Sequence, residues 1–144
     1  MSIYTRYKRS PDGLRQLVEL LEQKTGSKRQ VLVDAGMNED PDYTQLALQY
    51  VISFADVEGL SDMELAEVLS ATPPPVIGIA FSRSAPEVKE RVIKCANPRS
   101  AEEFKDGLES PDEKAPIGGA QLKLIAAMRK LEKKGIVKVK RVPS

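Results

Sequence analysis

Apolar residues recur along this chain at intervals of three and four positions, in short segments that open with a helix-start signal and close with a breaker. The clearest segment follows Asp40 and Pro41, an N-cap residue and a proline at the first helical position, where its missing N–H costs nothing. The spacing i, i+3, i+4, i+7, i+8 and i+11 predicts a single amphipathic helix. Its apolar stripe consists of Tyr43, Leu46, Ala47, Tyr50, Val51 and Phe54.

Similar punctuation predicts seven further short helices. One covers residues 14–21 and stops at Gly26, after which Ser27 caps the next. Two Ser-x-x-Glu sequences, Ser61–Glu64 and Ser84–Glu87, predict capping boxes, in which the Ser and Glu side chains satisfy backbone donors reciprocally.

The remaining pattern indicates where the core lies and how the chain ends. Residues 76–81 are apolar nearly all round, so this helix is expected at the centre of the fold. The last helix covers residues 117–131 and stops at Gly135, and the alternation of apolar and basic residues over 136–142 predicts a short edge strand or an extended tail. The predicted fold class is all-α, an armadillo-like right-handed superhelical stack of short helices.

Charge is distributed unevenly along the chain. The formal net charge is +1, from 22 basic and 21 acidic residues. Residues 114–144 carry nine bases against one acid, Glu132, so this segment is +8 and the remainder is −7. Such polarity is typical of a molecule that docks on charged surfaces.

Composition argues against enzyme chemistry. The chain contains no histidine and a single cysteine, Cys95, which removes the commonest general base and excludes a cysteine zinc cluster or an internal disulfide. Gly118 and Gly119 lack the spacing of a phosphate-binding loop. No cofactor, metal or catalytic residue is therefore expected. The N-terminus lacks a signal-peptide core and no apolar run could span a bilayer, so no membrane insertion and a cytoplasmic location are expected.

Seven segments in collinear order carry a family resemblance: Glu39–Asp42, Val51–Val57, Leu60–Leu69, Ser84–Arg91, Asn97–Glu102, Lys105–Glu109 and Arg129–Gly135. Together they cover roughly residues 14–142 and resemble the C-terminal third of the FliG family of flagellar motor switch proteins. The resemblance implies an armadillo-like unit followed by a compact helical domain. The domains expected here are a flexible N-terminal arm over residues 1–10, the armadillo-like unit over 11–56 and the FliG C-terminal-like domain over 57–144.

The resemblance also implies a hinge and a charged docking helix. The family's Met-Phe-x-Phe hinge pattern falls on Val51, Ile52, Ser53 and Phe54, which keep only the final Phe. The family's torque helix uses opposite charges to meet the stator. Here the corresponding charged ridge consists of Arg99, Glu102, Lys105 and Asp106, with Arg83 upstream. The second of the family's adjacent acids is replaced by Gly107.

Each of these features has a second interpretation. The charges of the ridge, three or four residues apart, are equally compatible with a solvated helix face. Tyr43 and Tyr50 fit core packing, and as a stacking interface they would join two copies of the chain or a partner. The basic residues of 114–144 would suit phosphate contacts, but no predicted helix presents a row of side chains suited to reading bases.

The leading hypothesis is a non-enzymatic FliG-like interaction module, a rotor or switch-complex component or an accessory, whose partners are rotor, switch or stator-like proteins. It would lie in the cytoplasm at the face of a membrane-anchored machine, and helical stacking leaves a homo-oligomer open. The alternatives are an adaptor in a non-flagellar motility or envelope machine and, less favoured, a nucleic-acid-binding module.

Overall fold

The computed structural model describes residues 3–109 and 115–143, and within them every regular element is an α-helix. The all-α prediction is therefore confirmed. The helices are α1 (Ile3–Arg9), α2 (Gly13–Gln23), α3 (Gly26–Glu39), α4 (Pro41–Tyr50), α5 (Phe54–Glu58), α6 (Asp62–Ser70), α7 (Pro74–Ala80), α8 (Pro86–Cys95), α9 (Pro98–Glu109) and α10 (Ile117–Lys133).

The chain divides into two compact units. The first comprises the residues up to Ile52 together with those from Lys140 onward, and the second is Ser53–Val139. The expected boundary after residue 56 therefore lies four residues further along than the observed one. The end of the chain, expected in the second domain, belongs to the first unit because Val142 is 2% exposed within the core of that unit.

Residues 1–10 were expected to form a flexible arm, but Ile3–Arg9 is a helix that packs against α2. Tyr4 is 1% exposed, and its hydroxyl donates a hydrogen bond to the carbonyl oxygen of Leu32. Tyr7, one turn further on, is half-buried against the same core. The expectation failed because the i, i+3 spacing of the two tyrosines places both on one helix face, which packs on the core.

Arg29 of α3 holds the end of α2 in the first unit. Its Nε atom donates to the carbonyl oxygens of Leu21 and Lys24 at 2.9 and 2.8 Å, which satisfies acceptors that a helix end leaves open. Gly26 was predicted to stop α2, but it is the first residue of α3 and has a φ of +56°. The left-handed backbone that a glycine permits therefore starts the second of these helices.

The long stripe predicted over residues 43–54 is two helices. The N-cap at Asp40 is confirmed, since its side chain accepts from the Tyr43 amide, but α4 ends at Tyr50. Ser53 and Asp56 then form a capping box that opens α5. The extended backbone at Val51 (ψ 123°) breaks the helix, although the apolar spacing continues through it.

In the second unit, α7 is central as predicted. It packs against both α9 and α10, and Ile77, Ala80 and Phe81 are at most 1% exposed. The Phe81 ring lies 4.9 Å from that of Phe54, tilted by 51°. This arrangement follows from an apolar surface that surrounds the helix and can only be satisfied by neighbours on several sides.

Only one of the two predicted capping boxes forms a cap. The Ser61 hydroxyl accepts from the Glu64 amide at 3.3 Å and opens α6. At the other site α8 begins after Ala85 with no side-chain cap, so that prediction was wrong. Its serine, Ser84, instead donates its amide to the Phe81 carbonyl and so belongs to the turn that closes α7.

The end of α10 is defined by Gly135, as predicted, which has a φ of +79°. The amide of Ile136 bonds to the Leu131 carbonyl and that of Gly135 to the Glu132 carbonyl, the pattern of a Schellman motif. The prediction of an edge strand over residues 136–142 was wrong, because none of these residues is in a strand. Their amides bond to helix ends and side chains, as the Lys138 amide does to Glu64 Oε2 at 3.0 Å.

Arg91 of α8 connects three neighbouring stretches of the second unit. Its guanidinium donates to the carbonyl oxygens of Glu58 and Leu60, at 2.9 and 2.6 Å, and to Asp62 Oδ1 at 2.9 Å. This hydrogen bond from Arg91 holds the pKa of Asp62 below its ordinary value. One side chain therefore links the end of α5, the following loop and the start of α6.

We expect Arg91→Met to destabilise the second unit by about 2 kcal/mol, because charged hydrogen bonds to two carbonyl groups are lost. Since the folded-state pKa of Asp62 is lowered, its contribution to stability is present above the ordinary aspartate pKa, about 3.9, and is lost as pH falls through the folded value. NMR titration of Asp62 should show its pKa rising toward the ordinary value in the variant. An unchanged Asp62 titration would contradict the assigned cause.

Candidate interaction surface

Helix α9 presents the predicted charged ridge on one rigid face. Its inner face is buried through Ala101, Phe104 and Leu108, which are 9%, 1% and 1% exposed. The ridge residues on α9 are all exposed: Arg99, Glu102, Lys105 and Asp106. Arg83, the fifth predicted member, is also exposed but lies outside this helix, in the turn that follows α7. The structure therefore brings four of the five residues together on one element.

A glycine pair fixes α9 closely against the central helix α7. A Cβ atom on Gly78 would lie 3.0 Å from the Phe104 carbonyl oxygen, and one on Gly107 would lie 3.4 Å from the Gly78 Cα. Gly107 thus faces α7 at the position where the sequence comparison expected an acid. The contact is tight at Gly78 and of ordinary van der Waals length at Gly107, and the glycine at 107 leaves the ridge with one carboxylate fewer.

The ridge charges have no partner among the residues that the structure describes. Within residues 3–109 and 115–143, the side chains of Arg99, Glu102, Lys105 and Asp106 form no ion pair or hydrogen bond. The Asn97 side chain accepts from the Arg99 amide at 2.9 Å, which caps the start of α9 and engages only the backbone of Arg99. Within the described ranges, no side chain competes with an external surface for these four charged groups.

The order of charges along α9 opposes its own dipole. The first turn contains no acid and carries Arg99, whereas the last turn contains no base and carries Asp106 and Glu109. A helix is stabilised by the reverse placement, acids at the N-terminus and bases at the C-terminus, by typically 0.3–1 kcal/mol per charge. The pattern therefore carries a small local cost rather than a local benefit.

The hinge-like residues lie at the division between the two units. In the first unit, the Ile52 amide donates to Glu22 Oε2 at 2.9 Å and the Val51 carbonyl accepts from Lys140 Nζ at 2.9 Å. In the second unit, Ser53 caps α5 and Phe54 contacts Phe81, as described above. Val51 and Ile52 are therefore anchored within the first unit, and Ser53 and Phe54 within the second. The hinge itself stays a prediction.

Tyr43 and Tyr50, predicted as a stacking interface, are half-buried and pack against the core of the first unit. Tyr43 also lies under the ammonium of Lys8, with Nζ 5.9 Å from the ring centroid, and the same ammonium pairs with Asp40 at 2.8 Å. The core and Lys8 therefore cover much of the Tyr43 side chain. The interface between copies stays a prediction.

The described residues offer little to a metal or a reaction. Among them, no three Asp, Glu or Cys side chains are grouped as metal ligands would be. Cys95 is half-buried, and burial raises the pKa of its thiol, which disfavours the thiolate. Within residues 3–109 and 115–143, none of the helices combines the length and apolar character that crossing a membrane requires. The arrangement on α9 is suited to recognition of charge.

Known proteins share this fold. The chain superposes on a crystallised segment of FliG from H. pylori with a TM-score of 0.63 at 17% identity, covering 90% of this chain and 62% of that one. Against full-length FliG from Aquifex aeolicus the TM-score is 0.53 at 23% identity, covering 88% and 40% of the two chains. At this level of identity, the structural likeness shows the fold alone.

Sequence comparison agrees with the structural match. The flagellar motor switch protein FliG of Aquifex aeolicus is 23% identical over 130 residues, which are 89% of this chain and 40% of that protein. The FliG of Borreliella burgdorferi is 22% identical over 134 residues, 92% and 39% respectively. This chain thus spans about two fifths of the length of these relatives. The family model of the FliG C-terminal domain matches residues 37–139, which is most of the chain. The chain therefore belongs to the FliG C-terminal domain family.

Proposed function

We propose that this chain is a non-enzymatic interaction module of a flagellar motor switch or rotor, or an accessory to one, and that it engages a charged partner surface through the ridge on α9. The family is that of a motor switch component and is not a family of enzymes. The observation that carries the proposal is that the exposed charges of α9 are unpaired within the described residues and oppose the helix dipole.

The dipole separates the two interpretations of the ridge. If this face only contacted solvent, the helix would be more stable with acids in its first turn and bases in its last. No interaction would oppose that arrangement. α9 has the opposite order, with Arg99 near its start and Asp106 near its end. A partner that presents an acid opposite Arg99 and a base opposite Asp106 would explain this order of charges.

The class of partner follows from the relatives. They are named flagellar motor switch proteins, and the family resemblance implies contact between this helix and a cytoplasmic loop of the stator. We propose the same partner class here, at the cytoplasmic face of a membrane-anchored machine. The ridge carries two bases and two acids among its four α9 members, so register along the helix, rather than net charge, would determine the fit.

The test is a double charge reversal, Arg99→Asp with Asp106→Arg, measured by calorimetric binding of the full chain to a stator loop fragment from the same organism. We expect at least tenfold weaker binding, which corresponds to about 1.4 kcal/mol. Helix stability should not fall, because the reversal aligns both charges with the dipole. Compensating reversals in the loop should restore part of the affinity.

The matched control reverses two exposed charges on the neighbouring helix α8, Glu90→Lys with Lys94→Glu. It has the same net charge and the same number of changes, and it lies outside the ridge. We expect less than a twofold effect. If the loop binds the ridge variant as tightly as the unaltered chain, the ridge is not the docking surface.

A further inference from the structure

A groove of about 240 Å³ lies along α10, on a different helix from the ridge. Three lysines line it, Lys123, Lys130 and Lys134, and all three are exposed. They are seven and eleven residues apart, so they follow one face of the helix for about 16 Å at 1.5 Å per residue. The proposed function does not use this surface.

The charged residues that line the groove are all lysines. The only acid in residues 115–143 is Glu132, which is 2% exposed and pairs with Arg129, with Oε1 2.7 Å from Nη1. This buried pair neutralises itself. The three groove lysines form no ion pair with any residue of the described chain. The lining therefore presents three lysine ammonium groups that no described carboxylate pairs with.

The helix dipole accounts for only part of this charge. Lys130 and Lys134 lie at the C-terminal end of α10, where a base is stabilising. Lys123 is the seventh residue of a 17-residue helix, well before its last turn, where the dipole effect has faded. Its alignment with the other two lysines is therefore better explained by a ligand that follows the helix.

The floor of the groove identifies the kind of ligand. Between the lysines lie the small apolar side chains of Ala126 and Ala127, with Ala71 and Leu131 beside them. Small side chains allow a second helix to approach closely, and an apolar floor favours an apolar side chain over a phosphate. The lining includes no arginine to read a base and no aromatic ring to stack on one.

We propose that this groove binds an acidic amphipathic helix of a protein partner, whose carboxylates meet the three lysines while an apolar side chain covers the alanines. The matching helix carries acids spaced over three turns, at i, i+7 and i+11 or the reverse order. This assigns a role to the basic C-terminal segment that is separate from the ridge, and the two surfaces can be tested independently.

The probes are three fluorescent peptides of equal charge and a duplex DNA, measured by anisotropy with the full chain. The first peptide has glutamates at the matching spacing and leucines between them, the second has those leucines replaced by serine, and the third is scrambled. We expect the first to bind at least fivefold more tightly than either other peptide. Lys123→Glu, Lys130→Glu and Lys134→Glu together should weaken its binding at least tenfold.

Lys133→Glu is the matched control, since Lys133 is exposed on the same helix and does not line the groove. It should weaken binding less than twofold. The proposal is overturned if Lys133→Glu weakens binding as much as a single groove substitution such as Lys134→Glu, because general basic charge would then be the cause. It is equally overturned if the three peptides bind alike, if none binds, or if duplex DNA binds more tightly than the first peptide.

Discussion

Arg129→Met should destabilise the second unit by about 3–5 kcal/mol, because it removes the cation from a carboxylate that is almost fully buried. The Arg129 and Glu132 side chains are 4% and 1% exposed, and their charged atoms lie 2.7 Å apart. Urea denaturation followed by circular dichroism measures the loss, and hydrogen exchange of peptides from α10 localises it to the second unit.

The double variant Arg129→Met with Glu132→Leu distinguishes a buried charge from lost packing. Replacing both partners by apolar side chains removes the desolvation cost along with the attraction and is often close to neutral. We expect the double variant to be at least about 2 kcal/mol more stable than Arg129→Met alone. If the double variant loses as much stability as Arg129→Met and Glu132→Leu lose together as single variants, the ion pair is not the source of the effect.

Gly13→Ala should destabilise the first unit by about 2–3 kcal/mol. A Cβ atom at Gly13 would lie 1.5 Å from the backbone carbonyl oxygen of Tyr7, so the backbone at the α1–α2 junction has to move. The chain can escape the clash by releasing α1, which exposes the buried Tyr4. The destabilisation by Gly13→Ala therefore cannot exceed the free energy needed to detach α1.

The control for this substitution is Gly118→Ala in the first turn of α10, where an added Cβ meets nothing within 4 Å. It should stabilise by a few tenths to about 1 kcal/mol, because alanine is the better helix former. Hydrogen exchange should show lost protection over residues 3–9 in Gly13→Ala only. If both variants are more stable than the parent chain, the close approach of α1 and α2 is refuted.

Features that depend on near neighbours could be predicted from the sequence. The Asp40 cap, the stop at Gly135 and the central position of residues 76–81 were all visible, because caps and 3.6-residue periodicity are properties of adjacent positions. The ordered series of segments likewise indicated the family that the domain match shows. Periodicity alone misled at Val51, where it continued across a helix break.

The candidate surfaces show a similar division. The sequence placed Arg99 and Asp106 on one helix, and it could not reveal that Gly107 faces Gly78 instead of joining them. It counted Arg129 with the basic tail and Glu132 as its lone acid, yet the two neutralise each other inside the unit. The groove on α10 needs Ala71 of a distant segment and was not foreseen.

The sequence by itself determined that this protein is helical, where several of its helices begin or end, and which family it belongs to. Only the tertiary structure decided that Tyr4 anchors α1 in a core, that the chain end from Lys140 returns to the first unit, and which lysines of α10 remain free to act together. The reason is physical. A cap or a stripe is stabilised by residues a few positions away, whereas the burial of a tyrosine or an ion pair depends on segments that approach only when the chain has folded.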